Sequence, residues 1–226
     1  MASDIVVEGR DVWKTYGAGE TAVNALKGVN VQVHRGDMVA IMGPSGCGKT
    51  TLLNCFSGLD DITRGTVTLE GVNVHSMKDR DRSNYRAKRT GFVFQSYNLL
   101  PILSAVENTE LPLLIAGVPQ KEARARATKI LTDLGLGDRG HHRPSELSGG
   151  QQQRVSLARA LVGQPAIVWA DEPTGNLDEE GSQQVTDLLR QLNHDYHQTI
   201  VIVTHDPQVA SRCDRTLRMR DGVFVA

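Results

Sequence analysis

The chain has 226 residues, 39% of them hydrophobic and 23% charged, with a formal net charge of -1. That balance fits a globular protein with one sizeable core or two smaller lobes, and it argues against a general nucleic-acid binder, whose basic footprint would show. Three cysteines, Cys47, Cys55 and Cys213, form no Cys-x-x-Cys pair and are expected as free thiols in a reducing compartment.

The amino-terminal MASDIVVEGR lacks the basic segment and long apolar stretch of a signal peptide. No apolar run approaches the roughly 20 residues of a membrane helix, so any work at a membrane is expected to pass through a partner. Strands are expected at Ile5-Val6-Val7 and over Val29 to Val33, with Gly17 and Gly19 between them. Met38 to Met42 is a short apolar run ending in glycine, which reads as a buried strand, and Thr51 to Asn54 begins a helix soon after it. Thr66 to Leu69 alternates and then turns at Gly71. The basic run from Arg80 to Arg89 is expected as a solvated face.

From about residue 96 to 160 the strand signal fades. Pro119 opens a helix in which Ala123, Ala127, Ile130, Leu131 and Leu134 share one face, ended by Gly135 and Gly137. This reads as a helical lobe inserted between two strands of a sheet. Ala166 to Ala170 is again a strand, ending at Asp171-Glu172. A helix follows over Ser182 to Leu192, then a buried strand over Thr199 to Val203 that ends at Thr204-His205-Asp206. Three apolar strands that deliver polar residues at their carboxyl ends imply a parallel sheet with its site at that edge.

The chemistry starts at Gly43-Pro44-Ser45-Gly46-Cys47-Gly48-Lys49-Thr50, which fills every fixed position of G-x-x-x-x-G-K-[ST] between a strand and a helix. Its glycines let backbone N–H groups turn inward around a phosphate. Lys49 is placed to neutralise the β- and γ-phosphates of ATP and the Thr50 hydroxyl to ligate Mg²⁺, with Thr51 completing the cradle. Asp171, at the end of its apolar strand, is expected to hold the metal shell. Glu172 follows on what reads as extended backbone, so its side chain points the other way and can take a proton from water.

A second anion site reads out of Leu147-Ser148-Gly149-Gly150-Gln151, which looks like an exposed helix start with unpaired N–H groups. It is redundant unless it meets a nucleotide held by another copy. Two chains facing head to tail would bury two ATP molecules between a P-loop and an opposing helix start, in a dimer that closes on itself. The γ-phosphate would then hold the halves together until hydrolysis releases them.

The Leu147 to Gln151 segment resembles the signature of ATP-binding cassette (ABC) proteins, and the chain from Val12 to about Val225 is similar to one nucleotide-binding domain of an ABC transporter. Further motifs follow in the family's order. Tyr16 in VWKTYG resembles the A-loop aromatic that stacks on adenine, and Gln95 in FVFQSYNLLP the Q-loop glutamine that reaches Mg²⁺ and the attacking water. Asn176-Leu177-Asp178 resembles the D-loop at the dimer interface, and His205 the switch histidine that contacts the γ-phosphate. The resemblance implies a single cassette over residues 1–226: an α/β, P-loop NTPase (RecA-like) core with an amino-terminal antiparallel β subdomain and an inserted α-helical subdomain.

It also implies an ATP-hydrolysing subunit that forms an ATP-dependent homodimer and drives a separate integral membrane permease from the cytoplasmic face. The segment around Tyr97 to Pro101 would receive a short coupling helix from that permease. FVFQSYNLLP, ADEPTGNLD and GLDDITRGTV resemble the branch of macrolide-efflux, lipoprotein-release and cell-division ATPases, whose permeases have four membrane helices and a large extracytoplasmic domain. The alternatives are an amino-acid-type importer ATPase, which shares every catalytic motif, and a soluble ABC ATPase without transport. Cys47 stands at a variable P-loop position, where thiol sensitivity is the functional expectation. The adjacent His141 and His142 are poorly placed to share one metal ion and are expected in a flexible loop.

Overall fold

The computed structural model describes residues 4–225; Met1, Ala2 and Ser3 of the amino-terminal stretch read above, and Ala226, lie outside the described residues. In chain order the strands are β1 (Ile5–Tyr16), β2 (Val23–His34), β3 (Met38–Met42), β4 (Arg64–Leu69), β5 (Val72–Asn73), β6 (Thr90–Phe94), β7 (Ile167–Asp171), β8 (Thr199–Thr204), β9 (Arg215–Arg220) and β10 (Val223–Val225). The helices are α1 (Lys49–Phe56), α2 (Asp79–Arg89), α3 (Ala105–Ile115), α4 (Gln120–Asp133), α5 (Gly149–Leu161), α6 (Glu179–Tyr196) and α7 (Pro207–Ser211). The chain divides into two compact units, one made of residues up to Arg86 and from Arg190 onward, the other of Ala87–Leu189.

In the first unit β1 pairs antiparallel with β2 and with β4, and β4 with β5. This is the expected amino-terminal β subdomain, with strands longer than the apolar runs that announced them. The β4–β5 turn uses Glu70 at φ 49° and Gly71 at φ 78°, the two positive values a two-residue hairpin needs. Next to it β3 pairs in parallel with β8 and β9, and β10 returns antiparallel on β9. Every residue of β8 and all but the last of β3 are buried, which is why both read as unbroken apolar runs. Met42 lies opposite Thr204, so the phosphate loop and His205 leave the sheet at the same edge.

In the second unit β6 and β7 pair in parallel, with Phe94 opposite Asp171. Gln95 and Glu172 therefore leave these two strands side by side. The chain between them carries α3, α4 and α5, the expected helical insertion. On α4, Ala123, Ala127 and Leu131 are buried on the predicted face. Helix α3 was not expected, since it buries Asn108, Thr109 and Glu110 and contains Pro112, which breaks any apolar stripe. Each buried polar group has a partner: Asn108 bonds Leu100 and Leu103 carbonyls, Thr109 bonds the Ala105 carbonyl, and Glu110 takes both ends of the Arg124 guanidinium at 2.6 and 2.7 Å.

The His141–His142 segment differs from the flexible loop expected of it. The Ala105 N–H donates to the His142 carbonyl at 2.8 Å and the Val106 N–H to that of Gly140 at 3.0 Å, so the segment is stitched to the start of α3. The basic run from Arg80 lies on α2, which has no buried residue, but it is only partly a solvated face: the Arg82 side chain is 15% exposed and paired with Asp61, and Arg86 donates to the Gly58 carbonyl at 2.8 Å.

Candidate functional site

The phosphate loop depends on its glycines in different ways. Gly48 precedes α1 at φ 103°, and a Cβ there would sit 2.5 Å from the Ala25 carbonyl oxygen. At Gly43 a Cβ would come within 2.1 Å of the Met219 carbonyl oxygen. Gly46 has φ +77° with nothing within 4 Å of the added carbon, so its glycine serves the backbone turn and leaves the space above the loop open. The Lys49 ammonium donates to the carbonyls of Gly43 at 2.8 Å and Pro44 at 3.0 Å, drawn across the loop it belongs to. Ser45, Gly46 and Thr50 are exposed. Cys47 is buried, its sulfur turned toward Gly43 and its carbonyl accepting from the Gly222 N–H at 3.0 Å. The thiol sensitivity expected there meets a shielded sulfur. Burial pushes the thiols of Cys55 and Cys213 up to about 12.

Tyr16 ends β1 with its ring exposed. Its hydroxyl donates to Asp60 Oδ2 at 2.7 Å. Burial of the hydroxyl, then the Asp60 carboxylate beside it, push the phenol above its ordinary value. His205 is exposed at the end of β8, just ahead of Asp206, which caps α7 through the Gln208 N–H.

In the second unit Asp171 ends β7, but Glu172 is not extended as expected. It adopts φ 46°, and the Gly175 N–H closes a turn on its carbonyl at 3.0 Å. The alternation of a strand therefore stops one residue before the glutamate, and a turn aims its side chain. Gln95 donates to Asn176 Oδ1 at 3.2 Å while Asn176 Nδ2 donates back to the Gln95 carbonyl at 3.0 Å. Asp178 accepts from the Gly181 N–H at 2.9 Å, which caps the start of α6.

Ser148 is the N-cap of α5. Its hydroxyl accepts from the Gln151 N–H at 3.3 Å, and the Gln151 side chain accepts from the Ser148 N–H at 2.9 Å. This capping box satisfies two of the amides expected to be free, leaving those of Gly149 and Gly150 at the helix start. A Cβ at Gly149 would meet the Tyr97 hydroxyl at 2.9 Å, so the Tyr97 side chain would have to shift to admit one. At Gly150 no atom of the described residues beyond its own helix backbone lies within 4 Å of the added carbon.

Comparison with known proteins decides what these motifs belong to. The family model described as ABC transporter matches residues 26–175. The chain belongs to the ABC transporter family. An ABC transporter ATP-binding protein of Thermotoga maritima is 51% identical over 217 residues, 96% of this chain and 92% of its own. The lipoprotein-releasing system ATP-binding protein LolD of Legionella pneumophila is 45% identical and covers 99% of each chain. The macrolide export ATP-binding/permease protein MacB of Marinobacter nauticus is 47% identical over all of this chain, which spans 35% of that longer protein. Among solved structures, a dimeric ATP-binding cassette in a post-hydrolysis state with ADP and Pi superposes with a TM-score of 0.89 at 41% identity, covering 97% of each chain. Family, fold and the macrolide-export and lipoprotein-release branch agree with the sequence reading.

Three residues of this cassette that matter to the site's geometry escaped that reading. Gln153 is fully buried on α5 and its amide nitrogen donates to the Pro173 carbonyl, next to Glu172. Arg159, also on α5, donates to the carbonyls of Tyr97, at 2.7 Å, and Asn98, both of which hold positive φ. Lys14 is buried against Tyr16. Gln153 hides within a run of three glutamines, Arg159 looks like a surface position, and Lys14 lies two residues from the aromatic it supports.

Proposed function

We propose that this chain is the ATP-hydrolysing subunit of a membrane transporter and works as a homodimer in which each ATP lies between one P-loop and the partner's signature helix. The observation that carries this reading is Gly150. Among the described residues nothing outside its own helix backbone crowds an added carbon there, and open space faces it at the start of α5. A bare helix start suits an anion approaching from outside the chain.

In this reading Gly43 to Thr51 cradle the phosphates, with Lys49 on the β- and γ-phosphates and Tyr16 under the adenine. Thr50, Asp171 and Gln95 offer a hydroxyl, a carboxylate and an amide oxygen, the hard donors Mg²⁺ takes beside phosphate oxygens and water. When bound, the ion neutralises charge on the phosphates. Glu172 accepts a proton from the attacking water, and His205 holds that water and the γ-phosphate. Ser148, Gly149, Gly150, Gln151 and Asp178 act across the dimer. Positioning and charge stabilisation do most of the catalytic work.

Among the described residues no helix is long and apolar enough to cross a membrane, and in this reading the transport path is supplied by a permease. Likeness to a lipoprotein-releasing and a macrolide-export ATP-binding protein supports a permease partner, and the family resemblance of the motifs implies one with four helices and a large extracytoplasmic domain, engaged from the cytoplasmic face. Leu100 and Ile102, exposed just after Gln95 and Tyr97, offer the apolar contact for it. The test is to tag the chain in its own cell, solubilise membranes gently and identify what copurifies. A four-helix permease with an external domain is expected. A permease accompanied by a solute-binding protein would mean an importer, and recovery of soluble partners alone would remove transport.

A further inference from the structure

A charged cluster around Tyr16 lies outside the catalytic motifs. The Lys14 ammonium has three N–H donors to place. It donates to Asp60 Oδ1 at 2.7 Å and to the Asp61 carbonyl at 2.6 Å, and its nitrogen stands 4.7 Å from the centroid of the Tyr16 ring. The other oxygen of Asp60 accepts from the Tyr16 hydroxyl at 2.7 Å. Asp60 is itself fixed, because the Leu59 and Asp60 N–H groups both donate to the Asn54 carbonyl, at 2.9 and 3.1 Å. Asn54 belongs to α1, the helix that begins at Lys49. The ring is therefore held to the helix of the phosphate loop as well as to its own strand.

The pair is not an ordinary surface ion pair, since the Lys14 side chain is 11% exposed and that of Asp60 33%. Burial alone would lower the Lys14 value, yet the hydrogen bond and charge of Asp60 outweigh it and raise it. The ammonium covers one face of an otherwise exposed ring. A cation on one side of an aromatic draws its electron density that way, which favours an electron-rich base on the other side.

We propose that Lys14 and Asp60 are positioning residues for the adenine base: they lock the Tyr16 ring and close one of its faces, so that the base stacks on the other at a set distance from the phosphate cradle. This rests on the reading of Tyr16 as the adenine platform. An exposed tyrosine at a strand end would otherwise sample rotamers that binding must freeze.

The experiment measures binding of Mg-ATP and of inorganic tripolyphosphate with Mg²⁺ to the full chain. Tyr16→Phe keeps the ring and removes its tether; Lys14→Met removes the cation; Lys14→Arg restores one. The first two should weaken ATP binding about three- to tenfold and leave tripolyphosphate unchanged, and Lys14→Arg should recover most of the loss. Unchanged tripolyphosphate binding also shows that the variants fold. If Tyr16→Ala weakens ATP binding but Tyr16→Phe and Lys14→Met do not, the platform stands and the positioning role falls. If Tyr16→Ala leaves ATP binding intact, the platform reading falls and takes this proposal with it. Equal losses for both ligands would reduce the cluster to a structural brace and overturn the proposal.

Discussion

Glu172 sits in a conformation that costs a non-glycine residue about 1–3 kcal/mol, so its surroundings must hold it there. The turn closed by Gly175 contributes to this, and Gln153 adds to it by gripping the Pro173 carbonyl from α5. Among the described residues the buried amide oxygen of Gln153 has no hydrogen-bond partner, and a buried acceptor left unpaired costs about 1–3 kcal/mol. Replacing it with an apolar residue of similar size separates these effects. Gln153→Met should fold and bind ATP normally while turnover falls about 10- to 100-fold, because the base is no longer aimed. Single-turnover hydrolysis measures this, and an unchanged rate would leave Gln153 as packing only. Glu172→Gln should keep ATP binding and lose roughly 10²–10⁴ in turnover. Hydrolysis at the wild-type rate would remove Glu172 from the role of base. The identity of the glutamate was legible because it follows an apolar strand and a strand-end acid. Its turn was not, because apolar periodicity carries no information about where a strand stops beside two carboxylates.

Among elements, α3 shows how a helix forms without an apolar stripe. Its start is fixed by a capping box: the Ser104 N–H and hydroxyl donate to Glu107 at 2.8 and 2.9 Å, and the Glu107 N–H returns to Ser104 Oγ at 3.4 Å. Ser104→Ala should cost about 1 kcal/mol in denaturant unfolding. Hydrogen bonds from the Ser104 backbone and then its hydroxyl hold the Glu107 carboxyl below its ordinary value of 4.5. A carboxyl with a depressed folded value stabilises fully above its unfolded value and loses that contribution as pH falls through the folded one. Stability followed by urea titration should therefore drop below about pH 4.5, and Ser104→Ala should show a smaller drop over the same window. Equal drops in both proteins would place the acid sensitivity elsewhere. Helix α4 was legible because alanines and leucines recur on one face, whereas α3 depends on buried partners that periodicity cannot weigh. The β9–β10 hairpin was missed for the opposite reason. Asp221-Gly222 is a strong turn signal, with φ 49° and 83°, but Arg218 and Arg220 hide the strand that leads into it.

At the scale of the whole molecule, each unit sends its motif residues from the carboxyl ends of its own parallel strands. The first carries the phosphate loop and His205, the second Gln95 and Glu172. This much was legible, because buried parallel strands are continuous apolar runs and polar residues at their ends stand out. What one chain's sequence could only imply is the second copy. Ser148→Arg would test it poorly, since it also breaks the capping box on α5. Gly150→Arg is cleaner: its backbone needs no positive φ, and among the described residues its added carbon meets nothing outside its own helix backbone. The folded monomer should accept it with unchanged unfolding midpoint and ATP affinity. In a Glu172→Gln background, where hydrolysis no longer opens the dimer, ATP should shift the parent protein to twice its mass by sedimentation, while the Gly150→Arg variant stays monomeric. The open space at Gly150 would then be the place the partner's nucleotide occupies. A dimer of normal strength in that variant would mean that the start of α5 faces something other than a second copy.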